Sequence, residues 1–205
     1  MGMDKQFRIV LIGDSITDSG RREDPEKLGF GYVRLIHDEL LVMNPDKKIE
    51  ILNKGIGGDR ITDLQARWEE DVINEQPDYV SISIGINDVW RQLDQPQMEQ
   101  VYPEQYEKIY RELCEKTKAQ LILMEPTIIE EDIESEGNQK LVDYVEIVRR
   151  LAKHYNAILV PTHQDFQNYL LAGNRHKLTT DGVHMNSAGD MLMAKSWLKA
   201  CEDLF

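Results

Sequence analysis

The chain has 205 residues, 41% of them apolar, and 37 acidic against 24 basic side chains give a formal net charge of −13. That length and composition suit one globular domain, residues 1–205, around a single core. An acidic surface repels phosphate backbones and anionic lipid, which removes nucleic acid and membranes from the expected partners.

From Met1 to Phe7 the chain enters a strand with no apolar leader core before it, and no run approaches the roughly 18 apolar residues of a membrane span. A cytoplasmic location is expected. The first predicted strand, Arg8–Ile12, stops at Gly13-Asp14-Ser15, and a loop-like stretch, Ser19–Gly31, follows. Tyr32–Met43 is amphipathic, with Val33, Ile36, Leu40 and Met43 on one face. The second strand, Ile49–Asn53, runs into Asn53-Lys54-Gly55-Ile56-Gly57-Gly58-Asp59. The spacing then predicts a helix over Thr62–Ile73, with Thr62 and Gln65 as a capping box and Leu64, Trp68 and Val72 inward.

Tyr79–Ile84 is the third strand and leads to Gly85-Ile86-Asn87-Asp88; Val89–Pro103 reads as a loop. A helix over Pro103–Lys118, a strand at Gln120–Met124, a loop at Pro126–Gly137, a helix over Asn138–Tyr155 and a strand at Ala157–Val160 come next. A polar loop, Gly173–Asp181, delivers Asp181-Gly182-Val183-His184. The last helix starts at Ser187, with Asp190 in capping position and Met191, Leu198 and Cys201 inward. Cys114 and Cys201 lie far apart in helical patterns and read as reduced packing residues.

Short, continuously apolar strands alternating with amphipathic helices predict an α/β fold, a parallel sheet with helices on both faces. Ligands in such sheets bind outside the carboxyl ends of the strands. That rim carries the parts acyl transfer needs: a nucleophile, a base and donors for an oxyanion. Ser15 is the candidate nucleophile and His184 the candidate base. Asp181, three residues earlier, can orient the imidazole, a contact that a tight turn permits but the spacing does not require. Gly58 and Asn87 are candidate oxyanion donors beside the Ser15 amide. Trp90, Arg91 and Tyr32 are candidate substrate contacts. His37 and His154 lie within helical patterns, and His163 opens a helical segment where it can cap or pack. The acidic runs Glu69-Glu70-Asp71 and Glu130-Glu131-Asp132 read as solvated charge, not as metal ligands, and no metal or cofactor is expected. Gly55-x-Gly57 lacks the third glycine of a dinucleotide loop, which falls on Arg60, and no Gly-x-Ser-x-Gly elbow is present.

Gly13-Asp14-Ser15, Asn53…Gly58-Asp59, Gly85-x-Asn87-Asp88 and Asp181-x-x-His184 resemble, in order and spacing, the four blocks of the GDSL, or SGNH, hydrolases. Ile16 stands where many members carry Leu. The resemblance implies a three-layer sandwich with a five-stranded parallel sheet of flavodoxin-like order. It also implies roles for Ser15, Gly58, Asn87 and His184, with Asp181 as third triad member. Asn53–Ile56, Arg67–Ile73 and Gly85–Gln92 further resemble the bacterial intracellular acetylxylan esterases of that superfamily, which deacetylate xylo-oligosaccharides and form homo-oligomers. Arg67–Ile73 is expected to reflect packing. Another short-chain esterase, a thioesterase and a lysophospholipase are the alternatives within the superfamily. A non-catalytic flavodoxin-like module holding FMN or a partner protein is the alternative outside it.

Overall fold

The computed structural model describes residues 6–173 and 176–205. The expectation for residues 1–5, and residues 174 and 175 of the last loop, lie outside the described residues. Five parallel strands form one sheet: β1 (Gln6–Gly13), β2 (Lys48–Gly55), β3 (Tyr79–Ser83), β4 (Gln120–Met124) and β5 (Ile158–Val160), in the order β2-β1-β3-β4-β5. This is the expected flavodoxin-like order. The central strand β1 is buried on both faces, with Ile9, Val10, Leu11 and Ile12 fully inaccessible, which is why it reads as an unbroken apolar run. The edge strand β2 is half covered, so Ile51, Asn53 and Gly55 alternate inward.

The helices are α1 (Ser15–Asp18), α2 (Tyr32–Met43), α3 (Ile61–Trp68), α4 (Ile86–Asp94), α5 (Pro103–Lys116), α6 (Glu136–His154), α7 (Thr162–Leu171) and α8 (Ser187–Ala200). Helices α2 and α7 both pack on α8, while α3 and α6 pack on α5 and α4 on α6, giving a helical layer over each face. Two tryptophans tie these layers down: Trp197 Nε1 donates to Ser81 Oγ in β3 at 3.0 Å, and Trp68 Nε1 to Thr117 Oγ1 at 3.2 Å.

Several local expectations are corrected. Helix α4 occupies the start of the segment expected to be a loop over Val89–Pro103. Helix α3 begins one residue early, at Ile61, because Asp63 accepts from the Arg60 amide at 2.8 Å in place of the Thr62–Gln65 box. It then widens into a π-turn over Glu69–Ile73. Asn186, not Ser187 with Asp190, caps α8, accepting from the Ala188 and Gly189 amides, and Met191 faces solvent while Met193, Ala194 and Trp197 face the core.

The register sets the site. Gly13 pairs with Gly55 on one side and Ser83 on the other, and Ser83 with Met124. The carboxyl ends of β1, β2 and β3 are therefore level, and Ser15, Gly58 and Asn87 leave from one rim.

Candidate active site

Ser15 opens α1 directly after β1. Asp14 caps that turn, its Oδ1 accepting from the Ile16 amide at 2.9 Å. The turn seats on the end of β2 because position 55 has no side chain: a Cβ on Gly55 would lie 2.1 Å from the Asp18 nitrogen. Ser15 Oγ lies 2.9 Å from His184 Nε2, and His184 Nδ1 lies 2.6 Å from Asp181 Oδ2. A carboxylate at Nδ1 selects the tautomer that donates there, leaving Nε2 to accept from the serine hydroxyl. The other Asp181 oxygen accepts from the Val183 and His184 amides at 3.0 and 2.8 Å, so the Asp-x-x-His turn closes on itself. Burial pushes the Asp181 carboxyl up, but the hydrogen bonds from His184 and Val183 outweigh it and hold the group below the usual carboxylate range.

A second carboxylate anchors this turn to the body of the protein. Glu131 Oε1 accepts from the Leu178 and Thr179 amides, at 2.9 and 2.8 Å, and from Thr179 Oγ1; that hydroxyl accepts in turn from the Gly182 amide. Reading Glu130-Glu131-Asp132 as solvated charge is thus wrong for Glu131. No periodicity or motif marks it, because its partners lie more than forty residues away.

Gly58 has φ +87, in the left-handed region. A Cβ there would meet no protein atom within 4 Å, so within the protein it is the backbone conformation that favours glycine. Asn87, at the start of α4, is buried and donates one amide hydrogen to the Asp59 carbonyl at 3.0 Å. Among the described residues no acceptor is seen for its second amide hydrogen. Arg67, expected only to pack, clamps this region. It donates to the Gly13 and Lys54 carbonyls and pairs with Asp59 and Asp71, tying the end of β1 to the glycine loop.

Two cavities meet at the Ser15–His184 pair. One, of about 140 Å³, is lined by Ser15, Gly58, Asn87, Trp90, Arg91 and His184. The other, of about 210 Å³, is lined by Ser15, Ile16, Ser19, His184, Met185 and Asp190. The Trp90 and His184 rings stand 6.2 Å apart. Tyr32 does not belong with them. It is 1% exposed and its hydroxyl meets Thr17 Oγ1 at 2.9 Å under the rim, so it supports the floor and cannot touch a bound molecule. His163 is also a core residue, its Nδ1 donating to the Thr127 carbonyl at 2.5 Å, and Cys114 and Cys201 are buried free thiols. A larger cavity, of about 410 Å³, lies among Val72, Pro77, Lys116 and Ala119 at the amino-terminal end of the sheet, away from any of these groups. Among the described residues no three His, Cys, Asp or Glu side chains are placed to hold a metal together, and no helix is long and apolar enough to cross a membrane.

Burial pushes the carboxyls of Asp14 and Asp88 up to about 7, against the hydrogen bonds each accepts from a backbone amide. For such a group the folded state binds its proton more tightly than the unfolded chain, so stability falls as pH rises from about 4 to 7. Asp88→Asn keeps an acceptor for the Ile61 amide and removes the charge. It is expected to raise Tm by about 5 °C at pH 8, with the gain shrinking toward pH 5. Calorimetry of both proteins across that range checks it; an equal shift at both pH values contradicts the assignment.

Comparison with known proteins agrees with this geometry. Residues 11–192 match the GDSL-like lipase/acylhydrolase family. The chain belongs to that family. Among GDSL-like proteins it is 41% identical over 202 residues to an acetylxylan esterase of Geobacillus stearothermophilus, covering 94% of this chain and 92% of that one. Crystal structures of catalytic mutants of that esterase, in which a serine, an aspartate or a histidine is replaced by alanine, superpose with a TM-score of 0.89 at 38% identity, over 97% of this chain and 96% of theirs. An α/β hydrolase from the metagenome of Lake Arreo, Spain, matches over the full length of both chains at 36% identity and a TM-score of 0.89. The family and fold expected from the four sequence blocks are therefore both found.

Proposed function

We propose that the protein is a serine esterase that removes acetyl groups from carbohydrate esters, acetylated xylo-oligosaccharides above all, through an acyl-serine intermediate. The reading rests on the hydrogen-bonded run from Ser15 Oγ through the His184 ring to Asp181. In the first half-reaction Ser15 Oγ bonds to the ester carbon as its proton passes to His184 Nε2. The carbonyl oxygen becomes an oxyanion held by the Ser15 and Gly58 amides and the free amide hydrogen of Asn87, donors typically worth about 10²–10³ in kcat each. His184 then gives its proton to the departing sugar oxygen as the carbon–oxygen bond breaks. Water, deprotonated by the same imidazole, attacks the acetyl-serine and releases acetate. Asp181 holds the ring and stabilises the imidazolium. Side chains and backbone amides complete the chemistry without a cofactor.

The small cavity at the oxyanion donors suits a short acyl group walled by Trp90, with Arg91 at its edge. The identity to an acetylxylan esterase supports acetyl as the group and a xylo-oligosaccharide as its carrier. The same reading takes the chain as one catalytic domain acting in the cytoplasm as a homo-oligomer, as the family resemblance implies. Acetate release from acetylated xylo-oligosaccharides, a glycerol acetate and acetyl-CoA at equal concentration tests it. The sugar ester is expected to give the highest kcat/KM; a clear preference for the thioester overturns the carbohydrate assignment.

A further inference from the structure

The larger of the two cavities at Ser15 holds an acceptor that the mechanism above does not use. Asp190, in the first turn of α8, is 8% exposed and lines this cavity. Its Oδ1 accepts from the Tyr32 amide at 3.1 Å, which accounts for that oxygen; among the described residues no donor meets Oδ2. That oxygen is not sealed from solvent, so it stands open as an acceptor on the wall of the cavity. Ser19, held at φ +40, lines the same cavity. The two groups converge on Gly31, where a Cβ would lie 2.7 Å from Ser19 Oγ and 3.0 Å from Asp190 Oδ1. A hydroxyl donor and acceptor and an acceptor-only carboxylate thus stand together in the cavity that Ser15 also lines.

Resting on the esterase reading, we propose that this cavity receives the alcohol half of the ester, and that Asp190 Oδ2 accepts a hydrogen bond from a free hydroxyl adjacent to the acylated one. The division follows from the tetrahedral intermediate. The oxyanion points at Gly58 and Asn87, and the smaller cavity beside them, about 140 Å³, takes the compact acetyl methyl. The leaving oxygen must stay within reach of His184 Nε2, which borders both. The alcohol therefore takes the side of Ile16, Ser19, Met185 and Asp190. Burial raises the Asp190 carboxyl to about 6, which leaves it ionised at neutral pH. A carboxylate there welcomes neutral hydroxyl donors and repels the phosphates of coenzyme A or a lysophospholipid. The site thus favours neutral leaving groups that carry a free hydroxyl next to the acylated one, as a sugar ring with a vicinal diol does.

The test compares acetylated xylobiose, glycerol monoacetate and p-nitrophenyl acetate, whose leaving group has no second hydroxyl. In Asp190→Asn, which still accepts from the Tyr32 amide, the ratio of kcat/KM for acetylated xylobiose to that for p-nitrophenyl acetate is expected to fall about tenfold. Taking the ratio cancels any general loss. Free xylobiose is expected to inhibit p-nitrophenyl acetate hydrolysis competitively, with an inhibition constant about tenfold weaker in the variant. Ser19→Ala is expected to move both quantities in the same direction by a smaller factor. Glycerol monoacetate, whose leaving group also carries an adjacent hydroxyl, is expected to show a fall in the same direction; a fall for the sugar ester with none for glycerol monoacetate overturns recognition of the adjacent hydroxyl as such. An unchanged ratio and an unchanged inhibition constant overturn the role of Asp190. A native protein that cleaves p-nitrophenyl acetate but no hydroxylated ester defeats this proposal alone. One that cleaves none of the three defeats the esterase reading itself.

Discussion

Ser15→Ala is expected to lower kcat on p-nitrophenyl acetate by a factor on the order of 10⁴–10⁶, with Tm within a degree or two of the native protein. The hydroxyl is a small, partly buried group whose one side-chain partner among the described residues is His184 Nε2, so its loss removes no core packing. Alanine is a good helix former and fits the start of α1, where the cap is supplied by Asp14. Chemistry and stability therefore separate cleanly in this variant. Steady-state kinetics together with a thermal melt give both numbers. Retention of more than a tenth of the activity would remove Ser15 from the role of nucleophile.

The second large effect is at His184. His184→Ala removes the group that takes the proton from Ser15 and returns it to the leaving oxygen, and the expected loss in kcat is comparable to that of Ser15→Ala. The double variant is expected to be no worse than either single one, because the two act as a unit. Asp181→Asn is expected to be milder, on the order of 10²–10³. Its carboxylate only orients and stabilises the ring, and its side chain is 48% exposed, where water screens the charge. An Asp181→Asn loss equal to that of His184→Ala would mean that the carboxylate does more than orient. Additive losses in the double variant would mean that serine and histidine act in separate steps.

Much of this was legible in the sequence because buried parallel strands and rim motifs leave local signatures. Arg8 to Ile12 read as a buried parallel strand, and the groups after β1, β2 and β3 had to share an edge once the sheet was parallel. What escaped was non-local. Helix α4 is nine residues long, follows a glycine and opens with Asn87-Asp88, so its short apolar pattern resembled a loop. Glu131 looked like one more solvated acid, yet it braces the histidine turn through backbone amides that no motif announces. Arg67 looked like a packing residue, and its reach to the Gly13 carbonyl depends on how α3 crosses the end of β1. Tyr32 looked like a rim hydroxyl; the sequence could not say that Thr17 lies beneath it. Asp190 fitted a capping pattern, but Asn186 takes the cap and frees the carboxylate to face the cavity.

The account stands on one covalent bond, between Ser15 Oγ and the acyl carbon. A phosphate triester with a p-nitrophenolate leaving group traps the same nucleophile, because attack at phosphorus expels the phenolate and leaves a stable phosphoryl-serine. Peptide mass spectrometry after such treatment is expected to find one dialkylphosphoryl group per chain, on Ser15, with activity lost in proportion to labelling and no labelling in Ser15→Ala. Inactivation with Ser15 unmodified, or equal labelling of the Ser15→Ala protein, would contradict it.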